Sequence, residues 1–558
     1  MLSRILGYFR DTMVAAFFGA GPAADAFYTA FRISNLFRRL LGEGALSASF
    51  VPVFSEYTQK QSHEETQRFL NTMFTTLLVI LSAITLLGVV FAPELTRVIA
   101  RGFDPSSERF ALTVTLTRYM FPFMLFICLA ALITGVLNAF HSFFLPAFAP
   151  ACLSIAEMLY IGFLWIAHIK GQNAVVGLAI SVTVGGFSQF FVHVPALMKR
   201  NYTLGLRWDL AHEGMRRVGR LILPATLGVA ADQLNAFVDT MMATFLSVGS
   251  VTAMYYSNRV MQLPLALFGI ALSQVALPTM SASVARGATQ EVKDTLNFAL
   301  RLTLFMILPA TTGLIVLGHP IVQTLFQYGR FTNEACWVTT WALAAFSLGL
   351  FAYAAVKILA AAFYAHQTTR VPVIIASCCV ALNVALNVST LMARKKLIFL
   401  HPEWADFLNG RGGVACLALA TSIASWANAV ALFVLLRRKL GILGGRRILR
   451  TVVKSMVGCA ALAAFSLGAM HLGISGSGLL SHHVRLARSL ELLIAITGGG
   501  RHLYVDSQAP PHGRVAALLG AAGFPPRTRR NRRVSRSHLT IYELLTLCAS
   551  GSDASNPY

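Results

Sequence analysis

The sequence predicts an all-α polytopic membrane protein. Of its 558 residues, 56% are hydrophobic and only 12% are charged, whereas soluble domains contain about 25% charged residues. Apolar stretches long enough for a span of about 20 residues recur along the chain, and we count about fourteen of them. A formal net charge of +23 is typical of nucleic-acid binding in a soluble protein. In a multi-span chain it instead indicates basic cytoplasmic loops, so we predict no nucleic-acid partner.

Each predicted span is placed by its apolar run. The spans are 2–19, 22–55, 70–98, 112–138, 145–167, 174–197, 218–246, 251–283, 296–317, 337–364, 371–393, 412–436, 451–472 and 483–499. Prolines such as Pro122 and Pro309 interrupt several of them, as is common in transporters. Lys and Arg are more frequent in the connections on the same side of the membrane as the N-terminus than in those on the opposite side. Basic connections favour the cytoplasm, so the N-terminus is predicted to be cytoplasmic. The basic cluster at 394–396 is an exception.

An internal repeat organises these spans. AFYTAFRISNLF around Arg32 matches AMYYSNRVMQLP around Arg259, 227 positions later. Further landmarks at nearly the same offset pair Gly42 with Gly269, Gly102 with Gly329, and Pro146 with Pro372. Because each repeat holds an even number of spans, six, the repeat is parallel, and two lobes around a central cavity are expected.

The repeat sets the predicted domain boundaries. We predict an N-terminal six-helix lobe at 1–200, a linker at 201–217, a C-terminal six-helix lobe at 218–437, a helix pair at 438–500 and an atypical basic tail at 501–558. LRWDLAHEGMRRVGR, at 206–220, has the spacing of an amphipathic interfacial helix, with a solvated charged linker as the alternative. The tail is rich in Arg and Pro, which indicates either a disordered segment or a reading frame altered near Arg501.

Charged residues within the first two spans are the candidate functional residues. A charge in the bilayer costs a few kcal/mol unless it is paired or hydrated. Arginine cannot shed its proton, and its planar fork binds phosphate oxygens two at a time. Several arginines facing one cleft therefore predict a site for a pyrophosphate-like head group, with Asp11 and Asp25 as counter-charges. The alternative for Arg38 and Arg39 is that they snorkel to the interface.

The second span must change its geometry if all its charges are to face one cavity. On a straight helix Asp25, Tyr28, Arg32 and Arg39 share one stripe. Arg38 falls off that stripe, with Asn35 beside it. The cavity prediction for Arg38 therefore requires a bend or a wide exposed face.

A second polar group indicates a cation site. Asp239 lies in one apolar run, and Asn383 and Asn387 lie one helical turn apart in another. Their oxygens are hard ligands suited to Na⁺, and Asp239 could instead carry a proton. Polar contacts that join helices are the alternative. No catalytic constellation and no metal-ligand spacing is found, so we predict no enzyme activity and no metal.

The motifs SRILGYFRD, GAGPAADAFYTAFRISNLFRRLLGEG, MYYSNRVMQLPLALFGIAL and LFQYGRFT resemble the MurJ (MviN) lipid II flippases of the MOP exporter superfamily. The resemblance covers residues 2–470. It implies two six-helix lobes with a C-terminal helix pair in the bacterial cytoplasmic (inner) membrane. It also implies transport of undecaprenyl-pyrophosphoryl-MurNAc-pentapeptide-GlcNAc, lipid II, to the outer leaflet for peptidoglycan synthesis.

The resemblance implies site residues position by position. The implied head-group residues are Arg4, Arg10, Asp25, Asn35, Arg38 and Arg259. Asp239, Asn383 and Asn387 resemble the cation site of some members. Asn258 and Gln262 stand where some relatives have an acidic pair, which changes the local charge balance. The implied partners are lipid II, membrane lipids and proteins of cell-wall synthesis or division, with Na⁺ or H⁺ as coupling ion and no other cofactor.

The resemblance favours alternating access, with the polyprenyl tail in a lateral groove toward the C-terminal helix pair. One rival is another exporter of the superfamily that moves a polyprenyl-linked polysaccharide or exchanges drugs for cations. A membrane glycosyltransferase would need catalytic carboxylates, and Glu403 with Asp406 is too small a set. A non-transporting scaffold in cell-wall assembly is the third alternative.

Overall fold

The computed structural model of the protein describes residues 2–169, 171–441 and 445–471. All regular secondary structure in these ranges is helical, which confirms the all-α fold. The last predicted span, at 483–499, and the basic tail, at 501–558, lie outside the described residues.

The described residues of the first half form nine α-helices. They are α1 Leu2–Phe18, α2 Pro22–Phe37, α3 Ser47–Lys60, α4 His63–Val90, α5 Ala92–Ile99, α6 Glu108–Ala139, α7 Phe144–Phe148, α8 Ala151–Ala167 and α9 Gln172–Met198. A π-helical segment, Arg38–Leu46, joins α2 to α3.

The second half continues the same pattern in the described residues. Its helices are α10 Glu213–Ala243, α11 Ser250–Pro264, α12 Ala271–Ala285, α13 Thr289–Val316, α14 Gly318–Phe326, α15 Asn333–Leu348, α16 Leu350–Ala365, α17 Arg370–Leu400, α18 Ala405–Asn409, α19 Arg411–Leu440 and α20 Gly445–His471. A π-helical segment, Leu265–Ile270, joins α11 to α12, and a short 3₁₀ turn, Pro402–Trp404, precedes α18.

These helices confirm a multi-span membrane protein. In the described part of the chain, 8 helical segments are individually long and apolar enough to cross a membrane. The pair α15 and α16, bent by 41°, raises this to 9 if it forms one span. Helices also cover the other predicted spans as far as 471, whereas the fourteenth falls outside the described residues. The count of fourteen therefore stays a prediction.

Polar caps fix where several spans begin. The Ser62 side chain accepts a hydrogen bond from the amide of Glu65 at 3.2 Å, at the start of α4. Ser107 and Thr332 cap α6 and α15 in the same way. Such a cap stabilises a helix by about 1 kcal/mol, which is why these boundaries follow from the local sequence.

The repeat is visible in the backbone. The two π-helical segments begin at Arg38 and Leu265, 227 positions apart. Each contains a glycine that lies close to a neighbouring helix. A Cβ added to Gly42 would lie 3.0 Å from a side chain of α6, and one added to Gly269 would lie 2.8 Å from a side chain of α16. The same geometry thus recurs at the offset that the sequence repeat predicts.

The two halves also contact each other reciprocally. Gly102 approaches the end of α10 so closely that a Cβ would lie 2.3 Å from the Thr244 carbonyl. Its repeat partner Gly329 approaches the end of α1, and a Cβ there would lie 2.3 Å from the Ala16 carbonyl oxygen. Gly329 has a φ of 53°, which glycine adopts most readily. Both contacts lie at the predicted outer ends of the helices.

Buried hydrophobic residues show where the halves are joined. The largest cluster of the described residues contains both Phe17 and Phe326 and spans the two halves at their predicted outer ends. Separate clusters lie at the predicted cytoplasmic ends, one around Phe54 in the first half and one around Met280 in the second. The start of α10, at Val218, packs with the first-half cluster. The halves therefore share their largest core on the outer side. On the cytoplasmic side each half has a cluster of its own, and the start of α10 packs on the first half.

The helix predicted at 206–220 is wrong over its first part, whereas 213–220 are helical as the start of α10. Residues 202–209 form no helix, and α10 begins only at Glu213. Backbone amides of alternate linker residues donate to side chains spaced one turn apart on α4. The pairs are Thr203 with Gln67 at 3.1 Å, Gly205 with Asn71 at 3.0 Å and Arg207 with Thr75 at 2.8 Å. Two extended residues advance about 6.6 Å and four helical residues about 6 Å, so the two sets match.

Candidate functional site

Asp11 on α1 binds arginines from both halves of the protein. Its Oδ1 accepts hydrogen bonds from Arg10 Nη2 at 2.6 Å and Nε at 3.0 Å. Its Oδ2 accepts one from Arg259 Nε at 3.0 Å. Arg10 and Asp11 are only 7% and 1% exposed, and buried charges of this kind depend on each other for compensation. Asp11 thereby links α1 to α11.

Glu157 completes this group, which we call the charge cluster: Arg10, Asp11, Glu157 and Arg259. Arg10 Nη1 donates to Glu157 Oε1 at 3.2 Å, and Arg10 Nη2 to the Tyr255 hydroxyl at 3.2 Å. Two arginines and two carboxylates give the cluster no net formal charge. Sequence reasoning missed Glu157, although an acidic residue in the apolar run ACLSIAEMLYIGFLW was an available signal.

Small and aromatic residues of α1 position Arg259. A Cβ on Gly7 would lie 2.6 Å from Arg259 Nη2, so the glycine leaves room for the guanidinium. The Tyr8 hydroxyl donates to the Arg259 carbonyl at 2.9 Å. The guanidinium lies 5.4 Å from the centroid of the Tyr8 ring, within the range of a cation–π contact. The Arg259 side chain is 31% exposed, so it is the arginine of the cluster more open to a ligand.

The structure places Asp25 outside the charge cluster, and the expectation that it balances the cleft arginines is wrong for this conformation. Asp25 is fully buried and binds the start of α11. Its Oδ2 accepts from the Gly249 amide at 2.7 Å, and its Oδ1 accepts from the Thr252 amide at 2.9 Å and hydroxyl at 2.7 Å. Arg109 Nη2 lies 3.3 Å from Oδ2. A carboxylate stabilises a helix N-terminus, so Asp25 joins the two halves at the outer end.

Arg4, Asn35 and Arg38 lie on the cytoplasmic side of these contacts. Arg38 Nε donates to Asn35 Oδ1 at 2.6 Å. The π-helical segment begins at Arg38, so the stripe of a straight helix does not continue past it. Arg38 is about 20 Å from Asp25 along the helix. Arg4 is exposed near the start of α1. Arginines therefore occur from the predicted cytoplasmic end up to the charge cluster.

The residues predicted to hold a cation do lie together. Asn383, Asn387 and Thr421 donate to Asp239 Oδ1 at 3.0, 3.4 and 2.9 Å. The buried Oδ1 of Asn387 has no hydrogen-bond partner among the described residues. The same residues contain no group of three or more His, Cys, Asp or Glu side chains that could hold a metal ion. One carboxylate with amide and hydroxyl oxygens suits a monovalent cation or a proton. Thr421 was missed because a threonine in an apolar span carries no distinctive signal.

Comparisons with known proteins agree with this architecture. A family model described as "Lipid II flippase MurJ" matches residues 14–475. A curated lipid II flippase MurJ of Burkholderia cenocepacia is 35% identical over 443 residues, which cover 79% of this chain and 82% of that protein. A probable lipid II flippase MurJ of Haemophilus influenzae is 34% identical over 401 residues, covering 69% and 78%.

Solved structures agree with the assignment to the MurJ family. One titled "Lipid II flippase MurJ, inward closed conformation" superposes with a TM-score of 0.70 at 25% identity, covering 90% of this chain and 98% of that one. An inward-facing MATE family transporter of the MOP superfamily has a TM-score of 0.64, but at 14% identity it shows the fold alone. The resemblance predicted from the sequence motifs is thus confirmed, and the chain belongs to the MurJ family of lipid II flippases.

Proposed function

We propose that this chain moves lipid II from the inner to the outer leaflet of the bacterial cytoplasmic membrane by alternating access. The chain is a transporter and not an enzyme. The observation that carries the proposal is the charge cluster. It lies between two halves that share their largest core at the predicted outer ends.

The pyrophosphate of lipid II binds by replacing carboxylates on the arginines. In the structure Asp11 divides its two oxygens between Arg10 and Arg259. A pyrophosphate offers more negative charge than one carboxylate, and its oxygens match the planar forks of both arginines. Because the cluster has no net formal charge, a weakly charged anion gains little by entering. The cluster therefore favours a multiply charged head group.

Alternation requires the outer contacts to separate. Asp25 and the reciprocal contacts of Gly102 and Gly329 join the halves at the outer end. Separating them exposes the head group to the outside, while the cytoplasmic ends close. The polyprenyl tail stays in the lipid, in a lateral groove toward the C-terminal helix pair. The first helix of that pair, α20, packs on α13, where Arg301 Nε donates to Thr451 Oγ1 at 3.0 Å.

A cation at Asp239 resets the cycle. Na⁺ and H⁺ are the candidate ions. Two amide groups and a hydroxyl donate to the Asp239 carboxylate in this structure, and a bound Na⁺ would need the amide oxygens turned toward it. One charge that crosses a potential of 100 mV contributes about 2.3 kcal/mol. Protein partners from cell-wall synthesis or division stay a prediction.

Complementation of a strain depleted of its lipid II flippase tests the proposal. Wild type should rescue growth, whereas Arg10→Ala and Arg259→Ala at normal expression should not. Arg68→Ala is the matched control, because Arg68 forms an exposed pair with Glu64 on α4, and it should rescue. Rescue by both cluster variants would contradict the role of the cluster.

Reconstitution separates the proposal from its rivals. Purified protein in vesicles should move fluorescent lipid II between leaflets. A protein that rescues growth but moves no lipid II in vesicles would act as a scaffold. A protein that moves drugs or other polyprenyl-linked sugars, and not lipid II, would be a different exporter of the superfamily.

A further inference from the structure

A small cavity lies between the charge cluster and Asp239. Its volume is about 30 Å³, and its lining includes Arg32 from α2, Asp239 from α10 and Tyr255 from α11. A cavity holds water when this volume exceeds about 10–15 Å³ and polar groups surround it. The space is therefore wide enough and polar enough for water. Arg32 and Asp239 both line it, so their opposite charges face the same space.

Arg32 reaches α10 from the other half of the protein. Its Nε donates to Thr240 Oγ1 at 3.0 Å. Thr240 follows Asp239 in sequence, and successive helical residues point about 100° apart. Thr240 thus faces α2, while Asp239 faces α17 and α19, where Asn383 and Thr421 bind it. One turn of α10 carries both the Arg32 contact and the predicted cation site.

The same cavity borders the charge cluster. Tyr255 lines it and accepts a hydrogen bond from Arg10 at 3.2 Å. Tyr28, which also lines it, stacks on Tyr255 with ring centroids 4.0 Å apart. Arg32 therefore contacts the helix of the predicted cation site and lines a cavity that also borders the predicted head-group site.

We propose that Arg32 is a positioning residue that couples a cation at Asp239 to the packing of the two halves. This rests on the proposed cation role of Asp239. Arg32 serves as the built-in counter-charge of that carboxylate, and a cation that binds there competes with it. Arginine keeps its charge at every physiological pH, so it cannot adapt by losing a proton. A bound cation repels the guanidinium and weakens its hydrogen bond to Thr240, which joins α2 to α10.

Cation binding to the purified, full-length protein tests this coupling. Thermal unfolding is followed in one series against Na⁺, with K⁺ keeping the ionic strength constant at fixed pH. A second series varies pH at fixed Na⁺, so that Na⁺ and proton binding are distinguished. We expect Arg32→Gln to lower the half-saturating concentration of the active cation by roughly tenfold, within the usual range of coupling between sites. Arg32→Lys keeps the charge and should stay near the wild-type value.

Two further variants control the experiment. Arg301→Gln removes an arginine from α13 that binds Thr451 and should leave the half-saturating concentration unchanged. Arg32→Met is a second neutral variant, expected to shift in the same direction as Arg32→Gln. It serves as the readout if the glutamine variant does not fold.

The outcomes separate the two proposals. If wild type responds to a cation and Asp239→Asn does not, the cation role of Asp239 holds. If the half-saturating concentration is then unchanged in the neutral Arg32 variants, the coupling through Arg32 is refuted while the cation role of Asp239 stands. A lower unfolding temperature without such a shift would mean that Arg32 has only a packing role. If wild type responds to neither cation, both the cation role and the coupling fail, while lipid II movement in vesicles still tests the transport function.

Discussion

The substitution Asp25→Asn removes a buried charge that joins the two halves at the outer end. It preserves the size of the side chain. Asp25 accepts three hydrogen bonds, from Gly249 and Thr252, and faces Arg109 at 3.3 Å. An asparagine keeps one acceptor oxygen, but its amide nitrogen is a donor and cannot accept from a backbone N–H. At least one donor and the Arg109 charge are therefore left uncompensated.

The magnitude follows from these contacts. A hydrogen bond to a charged group contributes about 1.5–3 kcal/mol, and removing one partner of a buried ion pair costs about 3–5 kcal/mol. We take about 3 kcal/mol as the loss in the closed state relative to a state in which the outer ends have separated. Since about 1.4 kcal/mol corresponds to a factor of ten, the open fraction should rise roughly 100-fold.

Accessibility of a buried position measures this fraction. Ala253 on α11 is 0% exposed and follows Thr252. A cysteine there, in a variant without the native cysteines, is labelled from outside with a membrane-impermeant maleimide. Asp25→Asn should raise the labelling rate about 100-fold, by the conversion above. Glu94→Gln, which breaks an exposed pair with Arg97 near the same end, should not change it.

A graded variant makes the test stricter. Thr252→Val removes only the hydroxyl donor to Asp25 and should raise labelling about tenfold, as one charged hydrogen bond implies. Unchanged labelling in a folded Asp25→Asn protein would refute the conclusion that Asp25 holds the outer ends together.

The remaining predictions concern stability. Gly102→Ala and Gly329→Ala should each lower the free energy of unfolding by about 1–3 kcal/mol through overpacking. Gly162→Ala is the control and should not lower it, because a Cβ there meets nothing within 4 Å. Denaturant titration measures the free energy of unfolding. The pKa of Glu56 lies below its usual 4.5, chiefly because an arginine at the start of α10 donates to it. The stability that this pair contributes is thus present at neutral pH and is lost as pH falls below 4.5. Below that pH the unfolding temperature of wild type should fall more steeply than the unfolding temperature of Glu56→Gln. Glu157→Gln leaves a buried arginine partly unpaired, so it should lose about 3 kcal/mol in thermal unfolding; unchanged unfolding would contradict the pairing.

The sequence predicts the helices and their repeat well, because both depend on local patterns. Span-length apolar runs specify helices in a membrane. Repeat landmarks such as Gly42 and Gly269 require the same close approach in both halves. The grouping of Asp239 with Asn383 and Asn387 was also predicted, because buried polar side chains in apolar spans must find partners.

The pairing of individual charges could not be predicted in the same way. Asp11 and Asp25 both lie in the first two helical segments, and no local pattern shows that one binds arginines while the other caps α11. That cap acts on Thr252, 227 positions away, whereas cap motifs in a sequence extend over only a few residues. The linker was mispredicted for a related reason, since its amides are satisfied by side chains of a distant helix.

Displacement of Asp11 by the pyrophosphate is tested most directly by equilibrium binding of lipid II to purified Asp11→Asn. The substitution removes the carboxylate that competes for Arg10 and Arg259. Binding should become about tenfold tighter, the effect of roughly 1.4 kcal/mol of lost competition, whereas Arg259→Gln should bind more weakly than wild type. Unchanged or weaker binding by a folded Asp11→Asn protein would contradict the replacement of Asp11 by the head group.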